Sequence, residues 1–555
     1  MVRNYYMRIC LILILPALYI ACKKTDNGTA PVSDTSLSFT VNDVYNGSLN
    51  YTGLNTKPVI KINLTEPINR NSITNAIKLV GPASTIIPFN SSSQNGDRTI
   101  VITPQSDFST FSTYTLTVSS SLLSSTGGKL VNPVSINLMT GFSDTDKFPR
   151  ITDEELLTLV QKQTFKYFYD FGHPVSGLAR ERNTSSNTVT TGGSGFGVMA
   201  LVVGVERNFI SRAEGLAQVQ KIVDFLKNKA VRFHGAYAHW LDGNTGAVIP
   251  FSSNDDGGDL VETAFLMEGL ITARQYFNGT SNIESTLRTD ITNIYNGVEW
   301  DWYRKNSSNS LYWHWSPNYN FDKNVQLKGW NEGLVTYVLA ASSPTHPIPK
   351  SVYETGWASN GGMKNGSTFY GVQLPLGPAN GGPLFFEHYS FLGINPIGLS
   401  DAYANYETQA KAHTLINYNY CVANPWKYYG YSENCWGLTA SDIPNGYTAS
   451  SPSNDVGVIA PTAALSSFPY TPTESMKALK FFYYKIGDKT WGDYGFNDSF
   501  SLSQNWFAST TLAIDQGPII IMIENYRTQL LWKLFMSAPE VKTGMRNLGF
   551  SSPSL

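Results

Sequence analysis

The sequence predicts a mainly α-helical protein, an (α/α)6 toroid preceded by a small all-β sandwich. From residue 37 to about 143 there are short alternating runs separated by Gly, Asn, Pro and Ser clusters, which is typical of strands. After residue 150 helical periodicity recurs about twelve times, and long loops rich in Gly, Asn and aromatic residues join the helices. Such long loops usually form a functional site. Because no helical repeat register recurs, we expect six helical hairpins closed into a ring rather than an open solenoid.

Local signals place the predicted elements. Thr152 followed by Glu155, and Ser211 followed by Glu214, form capping-box patterns that open two clear helices. The sandwich is expected to have about seven strands. The other predicted helices lie at about 195–207, 259–277, 283–299, 330–341, 401–423, 456–466, 473–486, 516–534 and 537–547, with a weaker candidate near 384–391.

The composition argues against a nucleic-acid-binding protein. Charged residues make up only 15% of the chain and aromatic residues 13%, including 12 Trp and 31 Tyr. Without residues 1–21, which contain Arg3 and Arg8, 38 Lys and Arg face 42 Asp and Glu, a net charge of −4. A nucleic-acid binder needs a basic surface, and this charge does not favour anionic lipid either. The composition suits an exported protein that stacks rings on sugars, although most of the rings must form the core.

The N-terminus has the pattern of an export signal. Residues 1–21 combine two Arg residues with the apolar run C-L-I-L-I-L-P-A-L-Y-I, which is too short for a membrane span, and end with Ala21 before Cys22. The segment resembles a bacterial lipoprotein signal with Cys22 as the lipidated first residue of the mature chain. We therefore expect an exported lipoprotein, periplasmic or anchored in the outer membrane. Lys23 and Lys24 are compatible with the outer membrane.

Four parts of the chain follow: a signal peptide at 1–21, a polar tether at 22–36, the sandwich at 37–145 and the helical domain at 150–555. The sandwich resembles bacterial Ig-like domains in P-V-I-K-I-N-L-T-E-P-I-N (58–69) and F-S-T-Y-T-L-T-V (111–118). It contains no catalytic constellation, so a spacer role and a carbohydrate-binding role both remain open.

Cysteine and histidine usage predicts neither a metal nor a cofactor. Once Cys10 is removed with the signal and Cys22 carries lipid, Cys421 and Cys435 remain. An exported compartment permits a disulfide between them, and two buried thiols are the alternative. The seven histidines lack metal-ligand spacing.

The acidic stretch N-D-D-G-G-D-L-V-E at 254–262 is the first candidate site. Asp255, Asp259 and Glu262 stand at i, i+4 and i+7, so they share one face if a helical turn extends back through the glycines. Carboxylates are common at a helix N-terminus, where the helix dipole favours them, so each of the three could have only that role. Three of them on one face repel each other unless they face solvent, a cation or a polar ligand, and a sugar-binding cavity would meet that condition.

Eight motifs carry a resemblance that spans nearly the whole helical domain. They are F-K-Y-F-Y-D-F (165–171), G-L-A-R-E-R (177–182), T-G-G-S-G-F-G (191–197), D-D-G-G-D-L-V-E-T-A-F (255–265), G-W-N-E (329–332), P-L-F-F-E-H-Y-S (383–390), W-G-L-T-A-S-D (436–442) and I-D-Q-G-P (514–518). In them the domain resembles the bacterial "glucoamylase-like" proteins of glycoside hydrolase family 144. The resemblance implies hydrolysis of β-1,2-glucan with inversion.

Inverting hydrolysis needs a carboxylic acid for the leaving oxygen and a carboxylate base for water. Glu332, which follows Trp330, is the candidate acid, because an adjacent indole can desolvate the carboxyl and raise its pKa. Its alternative is a surface glutamate in a first helical turn. Asp515, just before an apolar run, is the candidate base, with the alternative of an N-cap for helix 516–534. The resemblance matches Glu332 to the family's proposed acid and supports the role given to Asp515.

The remaining candidates would bind substrate. Asp255, Asp259 and Glu262 would accept hydrogen bonds from sugar hydroxyls, or compete for the catalytic roles. Arg180 and Glu181 would add a donor and an acceptor, or form a surface ion pair. The candidate aromatic and histidine platforms, each of which could equally be core, are His239, Trp240, Trp330, His388, Tyr389 and Trp436.

The sequence thus predicts an inverting, cofactor-free glycosidase acting on β-1,2-glucan or its oligosaccharides, with endo and exo action both open. The alternatives are an α-glucan glucoamylase on the same barrel and a non-catalytic glycan-binding lipoprotein; a polysaccharide lyase is disfavoured by the few basic residues in the motifs. No zinc-protease, P-loop or nucleophile-elbow motif is present. The run G-G-S-G-F-G (192–197) lacks a preceding buried strand and is interpreted as a loop.

Overall fold

A computed structural model describes residues 31–555. The predicted signal segment and the lipidation site Cys22 lie outside these residues. The chain divides into two compact units, one that ends at Thr140 and one that begins at Gly141.

The first unit is a β-sandwich of two four-stranded sheets with strand orders β1-β3-β6-β5 and β2-β8-β7-β4. Alternation builds its core, because successive side chains of a strand point to opposite faces. Ile60 and Ile62 of β3 lie opposite Ile102 and Ile100 of β6, and all four are fully buried. The predicted sandwich is confirmed, with eight strands in the described part of this unit and one short helix, α1 (Ile73–Ala76). The strands are β1 (Leu37–Val41), β2 (Asn50–Leu54), β3 (Ile60–Leu64), β4 (Ile77–Val80), β5 (Phe89–Gln94), β6 (Thr99–Pro104), β7 (Thr113–Val118) and β8 (Val134–Thr140).

The second unit is helical, with short strands in its loops. Its helices are α2 (Asp153–Tyr169), α3 (Thr191–Glu206), α4 (Arg212–Asn228), α5 (Leu260–Tyr276), α6 (Asn282–Asn296), α7 (Leu334–Ser342), α8 (Tyr406–Ala423), α9 (Pro461–Leu465), α10 (Pro472–Lys480), α11 (Gly487–Thr490), α12 (Ala513–Thr528), α13 (Leu530–Ser537) and α14 (Pro539–Leu548). The loop strands are β9 (Thr188–Thr190), β10 (Arg232–Phe233), β11 (Ala236–Tyr237), β12 (Trp240–Asp242), β13 (Val248–Ile249), β14 (Gly258–Asp259), β15 (His314–Trp315), β16 (Thr368–Phe369), β17 (Val372–Gln373), β18 (Ala440–Ile443), β19 (Gly446–Ala449), β20 (Trp491–Gly492), β21 (Gly495–Phe496), β22 (Phe500–Ser501) and β23 (Trp506–Phe507).

Six helical segments form an inner ring. They are α3, α5, α7, the pair of short turns at Leu384–Glu387 and Tyr389–Phe391, α9 and α12. Helix α3 packs against α5, α5 against α7, and α12 against both α9 and α3, so the ring closes. The turns complete it, because they contact α7 and His388 bonds to Ser467 just after α9 at 3.0 Å. The inner helices are buried almost all round, as helices inside a second layer must be.

The outer layer alternates with the inner one along the chain, which confirms the predicted (α/α)6 toroid. Its members are α2, α4, α6, a π-helical turn at Val352–Trp357, α8, and α10 with its π-helical continuation Phe481–Lys485. The two predicted capping boxes are confirmed. The Thr152 N–H donates to the Glu155 carboxylate at 2.8 Å and the Glu155 N–H to the Thr152 hydroxyl at 3.2 Å, with the same pairing for Ser211 and Glu214.

Two local predictions were wrong. The run at 192–197, interpreted as a loop, forms the first turns of α3, because its glycines let α3 and α5 approach closely. A Cβ at Gly195 would lie 2.1 Å from the Phe265 carbonyl oxygen, and one at Gly269 would lie 2.1 Å from the Gly195 carbonyl oxygen. The predicted helix 516–534 is two helices, α12 and α13, which are separated by Gln529 at φ 61°.

Cys421 and Cys435 are both buried and carry free thiols, so the structure has the second of the two arrangements that the sequence left open. Within residues 31–555 no helix combines the length and the apolar character that crossing a membrane requires.

Candidate functional site

A cavity of about 520 Å³ lies where several inner helices begin. Thr190 immediately precedes α3, Glu262 is in the first turn of α5, Glu332 precedes α7 by two residues, and Ile514 is in the first turn of α12. The N-termini of these helices carry free backbone N–H groups and the positive ends of the helix dipoles, so they favour carboxylates and other polar acceptors. The rest of the lining consists of Glu181, Arg182, His239, Trp240, Phe251, Phe265, Trp313, Phe385, Tyr389, Ala440, Tyr447, Ala449 and Leu512.

The acidic stretch converges, but not on a helix face. Helix α5 begins at Leu260, and Asp259 is its N-cap, whose carboxylate accepts from the Val261 and Glu262 N–H groups at 3.0 and 2.9 Å. The helix cannot extend back through the glycines because Gly258 and Asp259 pair as strand β14 with β15. A Cβ at Gly257 would lie 2.1 Å from the Trp315 carbonyl oxygen, so the glycines serve this pairing.

Two histidines bring these carboxylates together. His239 Nδ1 lies 2.9 Å from Asp259 Oδ2, and His314 Nε2 lies 3.6 Å from Asp255 and 3.7 Å from Asp259. Burial disfavours the imidazolium form of His239, but the charges of Glu262, Asp259 and Asp255 outweigh it and raise its pKa to about 9. Burial also opposes ionisation of Asp259, whereas the bond to His239 lowers the pKa of that carboxyl. His239 therefore presents a cationic ring at the cavity wall.

Glu262 is a buried acceptor at the cavity. Its Oε2 accepts from the Gly192 N–H at 2.7 Å and from the Thr190 hydroxyl at 3.3 Å. Burial and the nearby Asp259 carboxylate raise the pKa of Glu262. The glycine is required here, because a Cβ on Gly192 would lie 2.7 Å from Glu262 Oε2.

Glu332 lines the cavity on irregular backbone ahead of α7, not within the first turn of a helix. Burial raises its pKa to about 7, and the charges of Asp259 and Glu262 act in the same direction. A carboxyl with that pKa carries its proton in about half of the molecules at pH 7, where an ordinary glutamate is almost fully ionised, so it can serve as a general acid. The Trp330 indole, which was expected to desolvate Glu332, packs instead among Trp357, Phe391 and Tyr406.

Asp515 is the third residue of α12 and not its N-cap, which is Leu512. Its carboxyl is therefore not committed to capping. Burial and the neighbouring Asp498 carboxylate raise the pKa of Asp515 well above its usual range. Tyr389, a cavity residue, connects the two candidates: burial first, then the charges of Asp515, Tyr447 and Glu332, raise the pKa of its phenol.

The predicted aromatic platforms divide into two groups. Trp240 and Tyr389, with His239, line the cavity. Trp330, His388 and Trp436 are in the interior, where each finds a partner: Trp330 bonds to Glu387, His388 to Ser467 and Trp436 to the Glu474 carbonyl oxygen. Burial lowers the pKa of His388 to about 3, so that ring is neutral. Five further aromatic residues of the lining were not predicted from the sequence: Phe251, Phe265, Trp313, Phe385 and Tyr447. Only their positions in the sequence motifs or in loops could have indicated them.

Arg180 is not part of the cavity. Its guanidinium bonds to the carbonyl oxygens of Phe171, Gly172 and Ser186. Arg182, two residues on, lines the cavity instead and bonds to Glu181 at 2.8 Å and to Asp442 at 3.3 Å. The backbone partners of the two arginines differ: Arg180 bridges to Val189, whereas Arg182 bridges to Leu512, which itself lines the cavity. Glu181 remains in the lining, held by that arginine.

The cavity lining thus includes the half-buried Glu332 carboxyl with a pKa of about 7, the Glu262 carboxyl with a raised pKa, the cationic His239 ring and several aromatic faces, and Asp515 follows the lining residue Ile514. That combination suits proton transfer to and from a polar, neutral ligand that stacks on rings. Among the described residues, no group of three or more His, Cys, Asp or Glu side chains is arranged to hold a metal ion.

Comparisons with known proteins agree with this architecture. A family model described as "Putative glucoamylase" matches residues 324–539, and one described as bacterial Ig-like domain matches residues 33–143. The chain is 47% identical over 420 residues to the exo β-1,2-glucooligosaccharide sophorohydrolase (non-reducing end) of Parabacteroides distasonis. That match covers 72% of this chain and 58% of the relative, so the chain spans less than two thirds of that protein.

Two solved structures are similar over most of their length. The endo-β-1,2-glucanase from Chitinophaga pinensis, in complex with sophorotriose and glucose, is 51% identical with a TM-score of 0.72, and the match covers 73% of this chain and 100% of that one. A β-1,2-glucanase from Parabacteroides distasonis is 38% identical with a TM-score of 0.70, and the match covers 94% of this chain and 73% of that one.

Proposed function

The chain belongs to the bacterial glucoamylase-like proteins of glycoside hydrolase family 144, and on that basis we propose that it hydrolyses β-1,2-linked glucan or its oligosaccharides. Its relatives include an endo-β-1,2-glucanase that covers its helical domain and a sophorohydrolase acting on β-1,2-glucooligosaccharides. The aromatic lining of the cavity supports a neutral sugar chain as substrate.

In the proposed reaction Glu332 gives its proton to the glycosidic oxygen as the bond to the anomeric carbon breaks. Asp515 takes a proton from the water that attacks the opposite face of that carbon, so the configuration inverts. The observation that carries this assignment is the pKa of about 7 for a carboxyl at the cavity wall, because it keeps Glu332 protonated where most glutamates are ionised.

Six further side chains are proposed to contact the substrate, and a seventh acts through one of them. The Glu262 carboxyl and the His239 imidazolium offer an acceptor and a charged donor to sugar hydroxyls. Trp240 and Tyr389, with Trp313 and Phe385, supply ring faces for stacking. Asp259 acts on the substrate through His239, which it orients.

Product analysis tests the proposal. The purified protein is incubated with a panel of glucans of defined linkage, and the products are identified by chromatography and their first anomeric configuration by proton NMR. We expect products from β-1,2-glucan alone, first as the α-anomer. Glucose released from starch with β-1,2-glucan left intact would establish the glucoamylase alternative, and binding without any new reducing end would establish the glycan-binding one.

The same assay separates endo from exo action. The Parabacteroides relative is named as an exo-acting enzyme that works from the non-reducing end, whereas the Chitinophaga relative is named as an endo enzyme. A series of β-1,2-glucooligosaccharides of different lengths early in the reaction indicates endo action. Sophorose as the sole early product indicates exo action.

For localisation we propose export as a lipoprotein anchored through Cys22. The proposal rests on the sequence of residues 1–22. Radiolabelled palmitate should be incorporated into the parental protein and not into Cys22→Ala. Equal labelling of both proteins would contradict the anchor.

A further inference from the structure

A fully buried carboxylate lies behind the segment that carries the candidate acid. Glu387, in the first of the two inner-ring turns, makes three hydrogen bonds at one oxygen. Its Oε1 lies 2.7 Å from Trp330 Nε1, 2.8 Å from Gln409 Nε2 and 2.9 Å from His413 Nδ1. Both Glu387 and His413 have no solvent exposure.

The bonding pattern places the hydrogens around this pair. The Gly382 carbonyl oxygen lies 2.9 Å from His413 Nε2, and a carbonyl can only accept, so that nitrogen carries a hydrogen. Glu387 Oε1 accepts from the indole of Trp330 and from the amide of Gln409. The orientation of that amide is set because its other atom, Oε1, accepts from the Leu376 N–H at 2.8 Å. One further hydrogen lies between Glu387 Oε1 and His413 Nδ1, and the contact is a hydrogen bond whichever of the two atoms carries it.

The partner that matters for the site is Trp330. Its indole is packed among Trp357, Phe391 and Tyr406 with ring centroids about 6 Å apart (6.2, 6.2 and 5.7 Å), and the bond to Glu387 sets its rotation. Trp330 is two residues from Glu332, on backbone that belongs to no helix, since α7 begins at Leu334. A segment without its own ladder of hydrogen bonds depends on such tertiary contacts for its position.

The same inner-ring turns hold the other side of Glu332. The Ser390 hydroxyl donates to the Glu332 carbonyl oxygen and accepts from the Val335 N–H at 3.0 Å. Between Glu387 and Ser390 the chain presents Tyr389 to the cavity. One short segment therefore bonds to the Trp330 indole, the Glu332 carbonyl oxygen and the Val335 N–H, and it supplies a ring to the substrate cavity.

We propose that Glu387 and His413 form a buried hydrogen-bonded pair that positions the general acid Glu332 by fixing Trp330. The inference rests on the proposed role of Glu332. Glu387 and His413 are positioning residues and touch no substrate. A displacement of the order of 1 Å in a catalytic group costs about 100-fold in rate, so loss of the pair is expected to lower kcat strongly while KM changes little.

The test uses Glu387→Gln, which keeps the shape of the side chain but offers an amide oxygen with two lone pairs in place of the carboxyl oxygen that bonds to three partners. We expect kcat on β-1,2-glucan to fall by about 10- to 100-fold, with KM within about three-fold of the parental value. The basic limb of the kcat profile is also expected to move to lower pH, because a loosened segment admits water to Glu332 and weakens the desolvation that raises its pKa.

A matched control is available in Glu268→Gln. Glu268 is equally buried and accepts from the Gly393 N–H at 2.8 Å, but it does not contact the Trp330–Glu332 segment. We expect this variant to keep the parental kcat and basic limb whatever happens to its Tm. If Glu387→Gln and Glu268→Gln lower kcat equally, or if Glu387→Gln leaves kcat and the basic limb unchanged, the positioning role is wrong.

Trp330→Phe supplies an independent measurement, since it removes the indole N–H and keeps an aromatic ring. In a double-mutant cycle, the fall in kcat for the variant carrying both Glu387→Gln and Trp330→Phe should be close to the larger of the two single-variant falls. Both substitutions break the same Glu387–Trp330 hydrogen bond. Additive losses would overturn the proposal. If Glu387→Gln is poorly folded, Trp330→Phe alone still tests the contact, because it should lower kcat with KM little changed, and an unchanged kcat would overturn the proposal.

NMR of tryptophan-labelled protein separates this inference from the proposed function. The indole N–H of Trp330, assigned by its absence in Trp330→Phe, should exchange slowly with solvent in the parental protein and should change its chemical shift in Glu387→Gln and in His413→Asn. An indole signal that neither variant moves would refute the coupling of the pair to Trp330 even if the protein hydrolyses β-1,2-glucan. Conversely, a protein that cleaves no glucan would refute the proposed function and leave the NMR result standing as a test of the pair.

Discussion

The buried carboxyl groups of Asp498 and Asp515 lie next to each other beside the cavity. Burial raises the pKa of Asp498 to about 6, and burial together with the Asp498 charge raises that of Asp515 well above its usual range. Asp498 is anchored by the Asp442 N–H, which donates to its Oδ2 at 2.6 Å. Two adjacent buried acids do not both ionise readily, so the pair retains a proton at pH values where an isolated aspartate has none.

This pairing predicts the acidic limb of the pH profile. A general base must be ionised, so activity falls when the pH drops through the titration of the pair. In Asp498→Asn the negative neighbour is gone, the pKa of Asp515 falls, and the acidic limb of kcat/KM should move to lower pH. The asparagine keeps an acceptor for the Asp442 N–H. A limb that stays in place or moves to higher pH would show that Asp515 is not the base.

The proposed catalytic carboxyls are tested directly by Glu332→Gln and Asp515→Asn. Each variant should lower kcat on β-1,2-glucan by about 100-fold or more, because each removes one proton transfer. The fold should survive, as judged by circular dichroism and Tm. Glu332→Gln should be rescued on a substrate with an activated leaving group, which needs no acid, whereas Asp515→Asn should not. Near-parental rates for both variants would exclude this pair.

The basic limb follows from Glu332. Its pKa of about 7 predicts that kcat/KM falls above about pH 7, since the acid then loses its proton. The Glu262 charge helps to raise this pKa, so Glu262→Gln should shift the limb to lower pH, in addition to any change in KM. A limb that Glu262→Gln leaves unmoved would assign the basic limb to another group.

How well the sequence predicts a feature of this fold or site depends on how far apart in the chain the residues that determine the feature lie. The capping boxes of Thr152 and Ser211 lie within one helical turn, and the inner and outer helices carry their burial in their own periodicity. The ring itself follows from the number and alternation of those helices. Such features are local, and the sequence predicts them well.

Features decided by distant contacts could not be predicted. Trp240 and Trp330 look alike as loop tryptophans, yet one lines the cavity and the other donates to Glu387, 57 positions away. The expected helical face for Asp255 failed because β14 pairs with a strand more than fifty residues later. Arg182 and Asp442 meet across 260 positions, so no motif linked them.

Arg182 lines the cavity where Arg180 was expected, so variants of these two arginines can be compared. Arg182→Ala leaves the carboxylates of Glu181 and Asp442 without their shared cation at the cavity, and we expect kcat/KM to fall by about ten-fold or more. Arg180→Ala removes bonds to backbone carbonyls and should lower Tm while kcat/KM stays within about three-fold. Steady-state kinetics with thermal unfolding checks both. The opposite ranking of the two kinetic effects would return Arg180 to the site.

The His239–Asp259 contact predicts how stability depends on pH. The pKa of His239 is raised from 6.5 to about 9 in the folded protein by the carboxylates around it, against the opposing effect of burial. The folded state therefore binds this proton more tightly than the unfolded state. The resulting stabilisation is fully present below about pH 6.5 and is lost as the pH rises through about 9, with an upper bound of about 3 kcal/mol.

Denaturant unfolding of the parental protein and of His239→Gln, measured from pH 6 to 10, isolates this contribution. Carboxyls away from His239 contribute equally to both proteins and cancel in the difference. The Glu262 and Asp255 carboxyls interact with the His239 charge, so the difference reports His239 together with these two neighbours. We expect the parental protein's advantage to shrink between about pH 6.5 and 9. Asp259→Asn, which keeps an oxygen to cap α5 but not the charge, should weaken the same dependence. A difference between parental protein and His239→Gln that is constant across this range would mean that the ring is neutral at the cavity wall, and the charged donor assigned to His239 would have to be abandoned.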